Sequence, residues 1–173
     1  MLHKSFGEVK KNYNLGLSAR LEDYKNSIHY DSLSRIYNAL QKSRGHYDFV
    51  RAKSLSAADF FLVNQRSIVE FDESQHFTAQ RKLSLQLYPP DLKLGFSRER
   101  WILLCEELDK HDDSPKYRDE QRAWYDVLKD FAASIMNVPP TVRLYARDYN
   151  WCDLKPDNNE SLKIFKKVIS NVQ

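Results

Sequence analysis

Only four glycines stand among the 173 residues, and no GxGxxG or GxxxxGK run is present. A fold that cradles a nucleotide on a glycine-rich loop is therefore excluded. The two cysteines, Cys105 and Cys152, lie far apart and form no CxxC pair, so neither a structural zinc site nor a disulfide scaffold is expected. Cysteine use of this kind fits a reducing intracellular compartment, cytoplasmic or nuclear. No stretch approaches the ~18 consecutive apolar residues of a membrane span. The first residues, MLHKSFGEVKKNYN, carry no apolar run of the signal-peptide kind. GxSxG is missing, and no Cys–His pairing suggests acyl chemistry. Charge of one sign is also scarce. A net charge of +3 is too small for binding nucleic acid by charge alone, although a local basic patch suffices to grip a short stretch of backbone.

Ten tyrosines, nine phenylalanines and three tryptophans supply large surfaces to bury, and the length suits a single domain over residues 1–173. Leu17, Leu21, Tyr24 and Ile28 recur at helical spacing, which predicts a helical N-terminal segment within 1–30. Asp31 and Ser32 offer an N-cap to a helix striped by Leu33, Ile36, Tyr37 and Leu40, with Gly45 as its stop. A short strand is read at 46–50. ADFFLV (58–63) and SIVEFD (67–72) read as two strands joined by a turn near Asn64 and Gln65. Pro89-Pro90 ends any helix after His76. Helices are predicted over 97–110 and, with Trp124, Leu128, Phe131 and Ile135 as its stripe, over 117–136. TVRLYA (141–146) reads as a strand, and Asn159 as the cap of a last helix. The resulting class is α/β: a central mixed sheet of about four strands flanked by helices.

The hairpin carries the chemistry. A turn centred between Asn64 and Gln65 sets Asp59 opposite Glu70 and Phe61 opposite Ile68, and directly opposed residues share a face of the sheet. Asp72, two positions beyond Glu70, joins that face. Three carboxylates in so apolar a setting repel one another and call for a cation, a basic partner or a proton. Hard divalent ions such as Mg²⁺ or Mn²⁺ prefer oxygen ligands and keep several waters, which leaves room for a phosphate. The plain alternative is that each acid is a solvated strand-end residue.

The run from Asp59-Phe60-Phe61-Leu62 through Ile68-Val69-Glu70-Phe71-Asp72-Glu73-Ser74-Gln75-His76 resembles the Vsr-like branch of the PD-(D/E)XK restriction-endonuclease-like superfamily. That branch shows a "DF" strand, a short turn and a "VVEVDGxQH"-like strand. The separations of 11, 13 and 17 residues from Asp59 to Glu70, Asp72 and His76 fit without a gap. The resemblance covers roughly residues 31–150, with 77–116 as a helical insertion and 151–173 as a C-terminal helix. It implies metal roles for Asp59 and Glu70, an auxiliary one for Asp72, and a place for Gln75 or His76 beside the scissile phosphate. The function it implies is Mg²⁺-dependent endonucleolytic hydrolysis of DNA, RNA being the other polymer of that chemistry.

The chain also departs from that pattern. Asp72 stands where the superfamily's catalytic lysine would be, and Glu73 replaces the glycine after it. Both departures favour the alternative, an inactive nuclease-fold module that binds nucleic acid or a protein in a repair or defence assembly, as a homodimer or in a larger complex. Arg44, Arg51, Lys53, Arg81 and Lys82 are candidate phosphate contacts, with ordinary solubilising charge as the alternative for each.

Overall fold

The structure, a computed structural model, describes residues 1–170. β2 (Ala58–Leu62) and β3 (Ser67–Asp72) form the hairpin that the two apolar runs announce. Phe61 pairs with Ile68 and Phe60 with Val69, the register set by a turn at Asn64 and Gln65. β4 (Val142–Tyr145) lies parallel to β3, and a parallel neighbour needs a long crossover. That crossover contains α3 (Ala79–Gln86), α4 (Arg98–Leu108) and α5 (Arg118–Ile135). β1 (Val9–Tyr13) pairs antiparallel with the other side of β2, giving a mixed sheet of order β1-β2-β3-β4 flanked by helices. Among the described residues no helix is long and apolar enough to cross a membrane.

The N-terminal segment differs from the helical expectation. It holds a short helix, α1 (Leu2–Phe6), then β1, and only a single 3-10 turn over Leu21–Tyr24. The amides that a helix through Leu17 would need are spent across the chain. Ala19 donates to the Lys53 carbonyl, and the Leu17 carbonyl accepts from Leu55, each at 2.9 Å. Ile28, the last residue of the supposed stripe, is 91% exposed. Residues 46–50 form no strand. Phe49 is buried against Tyr37 instead, ring centroids 4.8 Å apart.

Helix ends follow local chemistry. α2 (Tyr30–Arg44) starts just before Asp31, which sits in its first turn rather than capping it, and stops at the left-handed Gly45. Thr78 and Ser97 cap α3 and α4 by accepting from Arg81 N and Arg100 N. α6 (Asn159–Ser170) is capped one residue earlier than expected, Asn158 accepting from Ser161 N. Between α3 and α4, Gly95 bridges to Val142 of β4. A Cβ there would stand 2.6 Å from the Thr141 carbonyl oxygen, so only glycine permits this approach.

Strand alternation divides the core. Val69, Leu62, Val142 and Leu144 face α6, where Phe165 and Ile169 complete a small apolar cluster. The larger cluster holds Ile68 with Leu33, Ile36 and Leu40 of α2 and Trp124, Val127, Leu128 and Phe131 of α5. Ile68 shares its face with Glu70 and, from β4, Arg143, because Glu70 pairs with Arg143 across the parallel ladder. Charged residues on this face therefore point at α5, and α5 answers with charged residues of its own.

Candidate functional site

Asp59 and Glu70 meet as the hairpin register demands. The Asp59 amide donates to Glu70 Oε1 at 3.3 Å, and Asp59 Oδ2 accepts from the Phe71 amide at 2.8 Å. Glu70 is buried, and its Oε2 accepts from Lys129 Nζ of α5 at 2.7 Å. Lys129 is itself fixed, because its carbonyl accepts from Thr141 Oγ1 at the start of β4. Burial pushes the Glu70 carboxyl up to about 7, against the opposing charges of Lys129 and Arg143. Asp59 Oδ1 is the one oxygen of the pair with no protein donor among the described residues.

Asp72 does not join them. Its Oδ1 accepts from Arg143 Nη1 at 2.6 Å and its Oδ2 from Trp101 Nε1 at 2.8 Å. Arg143 also reaches Asp130 Oδ1 at 2.6 Å and Asp126 Oδ1 at 3.3 Å. Asp130 Oδ2 takes Arg81 at 2.7 Å and the Tyr88 hydroxyl at 2.6 Å. Asp126 Oδ2 meets His76 Nδ1 at 3.0 Å. Every oxygen of these three buried carboxylates thus has a donor. Alternation puts Asp72 on the expected face, where its two oxygens accept from Arg143 and Trp101. Asp72, His76 and Asp126 lie close enough together to be a ligand group for a metal. Arg143, paired with both Asp72 and Asp126, already supplies positive charge there.

His76 stands between this network and solvent. Burial alone would lower its pKa, but the charge and hydrogen bond of Asp126 outweigh burial and the net shift is upward. Burial would likewise raise Asp126, yet His76 and Arg143 hold it well below the ordinary carboxylate range. With Nδ1 on Asp126, the second nitrogen of His76 has no protein partner among the described residues. His76, Asp59, Glu70, Glu73 and Lys129 all line one cleft of about 990 Å³. The cleft opens at the end of the sheet where β2 begins and β1, β3 and β4 finish.

The other candidates fare unevenly. Gln75 is exposed, bonded to Glu73 at 2.5 Å, and does not line the cleft. Arg81 is buried and fully used by Asp130 and Tyr88, so its reading as a phosphate contact is corrected. Arg44 clamps both oxygens of Glu120 at 2.6 and 2.7 Å and also reaches Asp113. Lys82 pairs with Glu106, and Arg51 pairs with Asp48 while lying over the Tyr117 ring. Lys53 is exposed.

No protein-family model, curated protein or solved structure matches this chain. The geometry of the site therefore stands on its own. Three of its residues, Asp126, Lys129 and Asp130, escape a reading of motifs, and Arg143, whose strand resembles the end of the family core, receives no role from it. The signal was present in two forms. Asp126, Lys129 and Asp130 recur at i, i+3 and i+4 and so share one face of α5. Arg143 interrupts an otherwise apolar strand, as Glu70 does, and such residues need partners.

The titrations set a pH dependence of stability. Folded Glu70 keeps a proton up to about 7, whereas the unfolded chain releases it near 4.5. Stability contributed by this group is present below 4.5 and lost as pH rises towards 7, on the order of 3 kcal/mol in all. His76, also raised, has the same sign. Asp126 has the opposite sign, and its stabilisation disappears only as pH falls below the ordinary carboxylate range. In EDTA, urea denaturation should show stability falling from pH 5 to 7, and Glu70→Gln should flatten that slope. An equal slope in the variant would refute the assignment.

Proposed function

We propose that this protein is a divalent-metal-dependent phosphodiesterase that hydrolyses DNA, built on a restriction-endonuclease-like core of the Vsr-like kind. The observation that carries this reading is Lys129 Nζ at 2.7 Å from Glu70, beside Asp59, in an open cleft. Two strand-borne carboxylates and an ammonium are the groups that phosphodiester hydrolysis needs together. The lysine that the strand lacks at Asp72 is supplied from α5.

The donor set fits a hard cation. Asp59 offers a carboxylate oxygen with no protein donor, and Glu70, held near neutrality by burial, gains from any added positive charge. Asp59 and Glu70 would hold Mg²⁺ or Mn²⁺, which when bound neutralises phosphate charge and lowers the pKa of a coordinated water. The remaining chemistry belongs to the chain. Lys129 offers protons to a non-bridging phosphate oxygen while keeping Glu70 in place. Asp126 holds Nδ1 of His76, a residue of the cleft lining, and leaves its other nitrogen to hold or pass a proton to a water or a leaving oxygen. Arg143 holds Asp126 and Asp72 rigid behind it.

Incubation of DNA with the protein and Mn²⁺ tests the reading. Cleavage by the wild type, abolished in EDTA and lowered at least about 100-fold in Asp59→Ala, is expected. Glu73, an extra carboxylate in the cleft, favours the inactive binding module instead, and that module predicts no cleavage and no Mn²⁺ heat in calorimetry.

A further inference from the structure

The cleft has two unlike walls. One is the acidic pole just described. The other comes from the opposite face of the sheet, where Phe60 and Phe71 flank Asp59 and Glu70 in sequence and, by alternation, point the other way. Trp151 completes it, its ring edge-on to Phe71 at 5.6 Å and its indole nitrogen fixed on the Ala146 carbonyl at 2.9 Å. All three aromatics are only partly buried, although each packs against the small apolar cluster. A basic rim accompanies them. Lys11, opposite Phe60 on the edge strand β1, lines the cleft, is exposed and has no acidic partner among the described residues.

From this juxtaposition we infer that the substrate is an unpaired strand of nucleic acid, one base of which leaves its stack and rests on Phe60, Phe71 and Trp151. This rests on the phosphodiesterase reading and adds its substrate class. A cleft of about 990 Å³ has the size of a small-molecule site, enough for a nucleotide or two. Bases within a duplex keep their faces stacked and cannot use an aromatic wall. Unstacked bases can, and each such contact is worth ~1–3 kcal/mol without regard to sequence. A base held there brings its own phosphate to the sheet end, between Lys11 and the Asp59–Glu70 pair. Lys11 offsets the repulsion that the acidic pole exerts on the incoming backbone.

Fluorescence anisotropy in EDTA, with labelled single-stranded oligonucleotides and the matching duplexes, tests this apart from cleavage. The wild type is expected to bind the single strand at least about 10-fold more tightly than the duplex. Phe60→Leu should weaken single-strand binding about 5–10-fold and leave duplex binding unchanged. Lys11→Glu, on an exposed strand edge where folding is not at stake, should weaken it as well. Equal or tighter binding of the duplex overturns the inference, as does the absence of any nucleic-acid binding. So does wild-type affinity in both variants. Failure to cut with Mn²⁺ while single-strand preference persists defeats the catalytic reading and leaves the binding site standing.

Discussion

Arg143→Leu is expected to destabilise the protein by about 3–5 kcal/mol, a large share of the ~5–15 kcal/mol by which a folded domain is stable. Arg143 is completely buried and, among the described residues, is the only one that touches Asp72, Asp126 and Asp130 together. Leucine approximates its bulk, so the loss is electrostatic rather than a cavity. Three carboxylates would be left facing one guanidinium, that of Arg81, and one histidine. They could recover only by taking up protons or by opening to water, and either course disrupts the contact between β4 and α5. Arg143→Lys should recover little. A lysine keeps the charge but lacks the fork that serves three carboxylates from one plane. Urea midpoints of the purified variants at pH 7 measure this, and a loss below 1 kcal/mol for Arg143→Leu would show the network to be dispensable.

Lys129→Met separates chemistry from architecture. Methionine keeps most of the length and apolar stem of the lysine and removes only the ammonium. Glu70 already has a raised pKa, so without its partner it takes up a proton at neutral pH instead of standing as a buried bare charge. Stability should therefore change far less than in Arg143→Leu. Cleavage with Mn²⁺ should fall about 100- to 1,000-fold, through loss of a fixed donor to the developing phosphate charge together with protonation of Glu70, one of the two residues that would hold the ion. The drop should appear in kcat with DNA at saturation, since single-strand binding in EDTA depends on the other wall of the cleft. Cleavage within 5-fold of wild type would remove Lys129 from the mechanism and return it to a structural counter-ion of Glu70.

Much of the scaffold is legible in the linear chain. Short-range periodicity is a local property, and it identified the hairpin, α2, α5, β4 and α6. The pairing of Phe61 with Ile68 followed from the turn position alone, because a two-stranded register is fixed by its loop. Asp59 and Glu70 came together for the same reason. The first strand of the sheet was misplaced. VKKNY has almost no apolar alternation, and what makes it a strand is the unpaired edge of β2 beside it, a partner more than 40 residues away.

The charged core was settled by tertiary contacts. Arg118 to Ile135 reads as an amphipathic helix with a solvated side, yet Asp126, Lys129 and Asp130 on that side are buried. Sequence supplies the period but not the opposing surface, and here that surface bears Glu70, Asp72 and Arg143. The three carboxylates that the resemblance groups into one centre are thereby separated. Asp59 and Glu70 stay in the cleft with Lys129, while Asp72 belongs to Arg143. A one-dimensional chain can place like charges on a common face. Which opposite charge reaches each of them depends on the packing of a helix that follows 46 residues after Asp72.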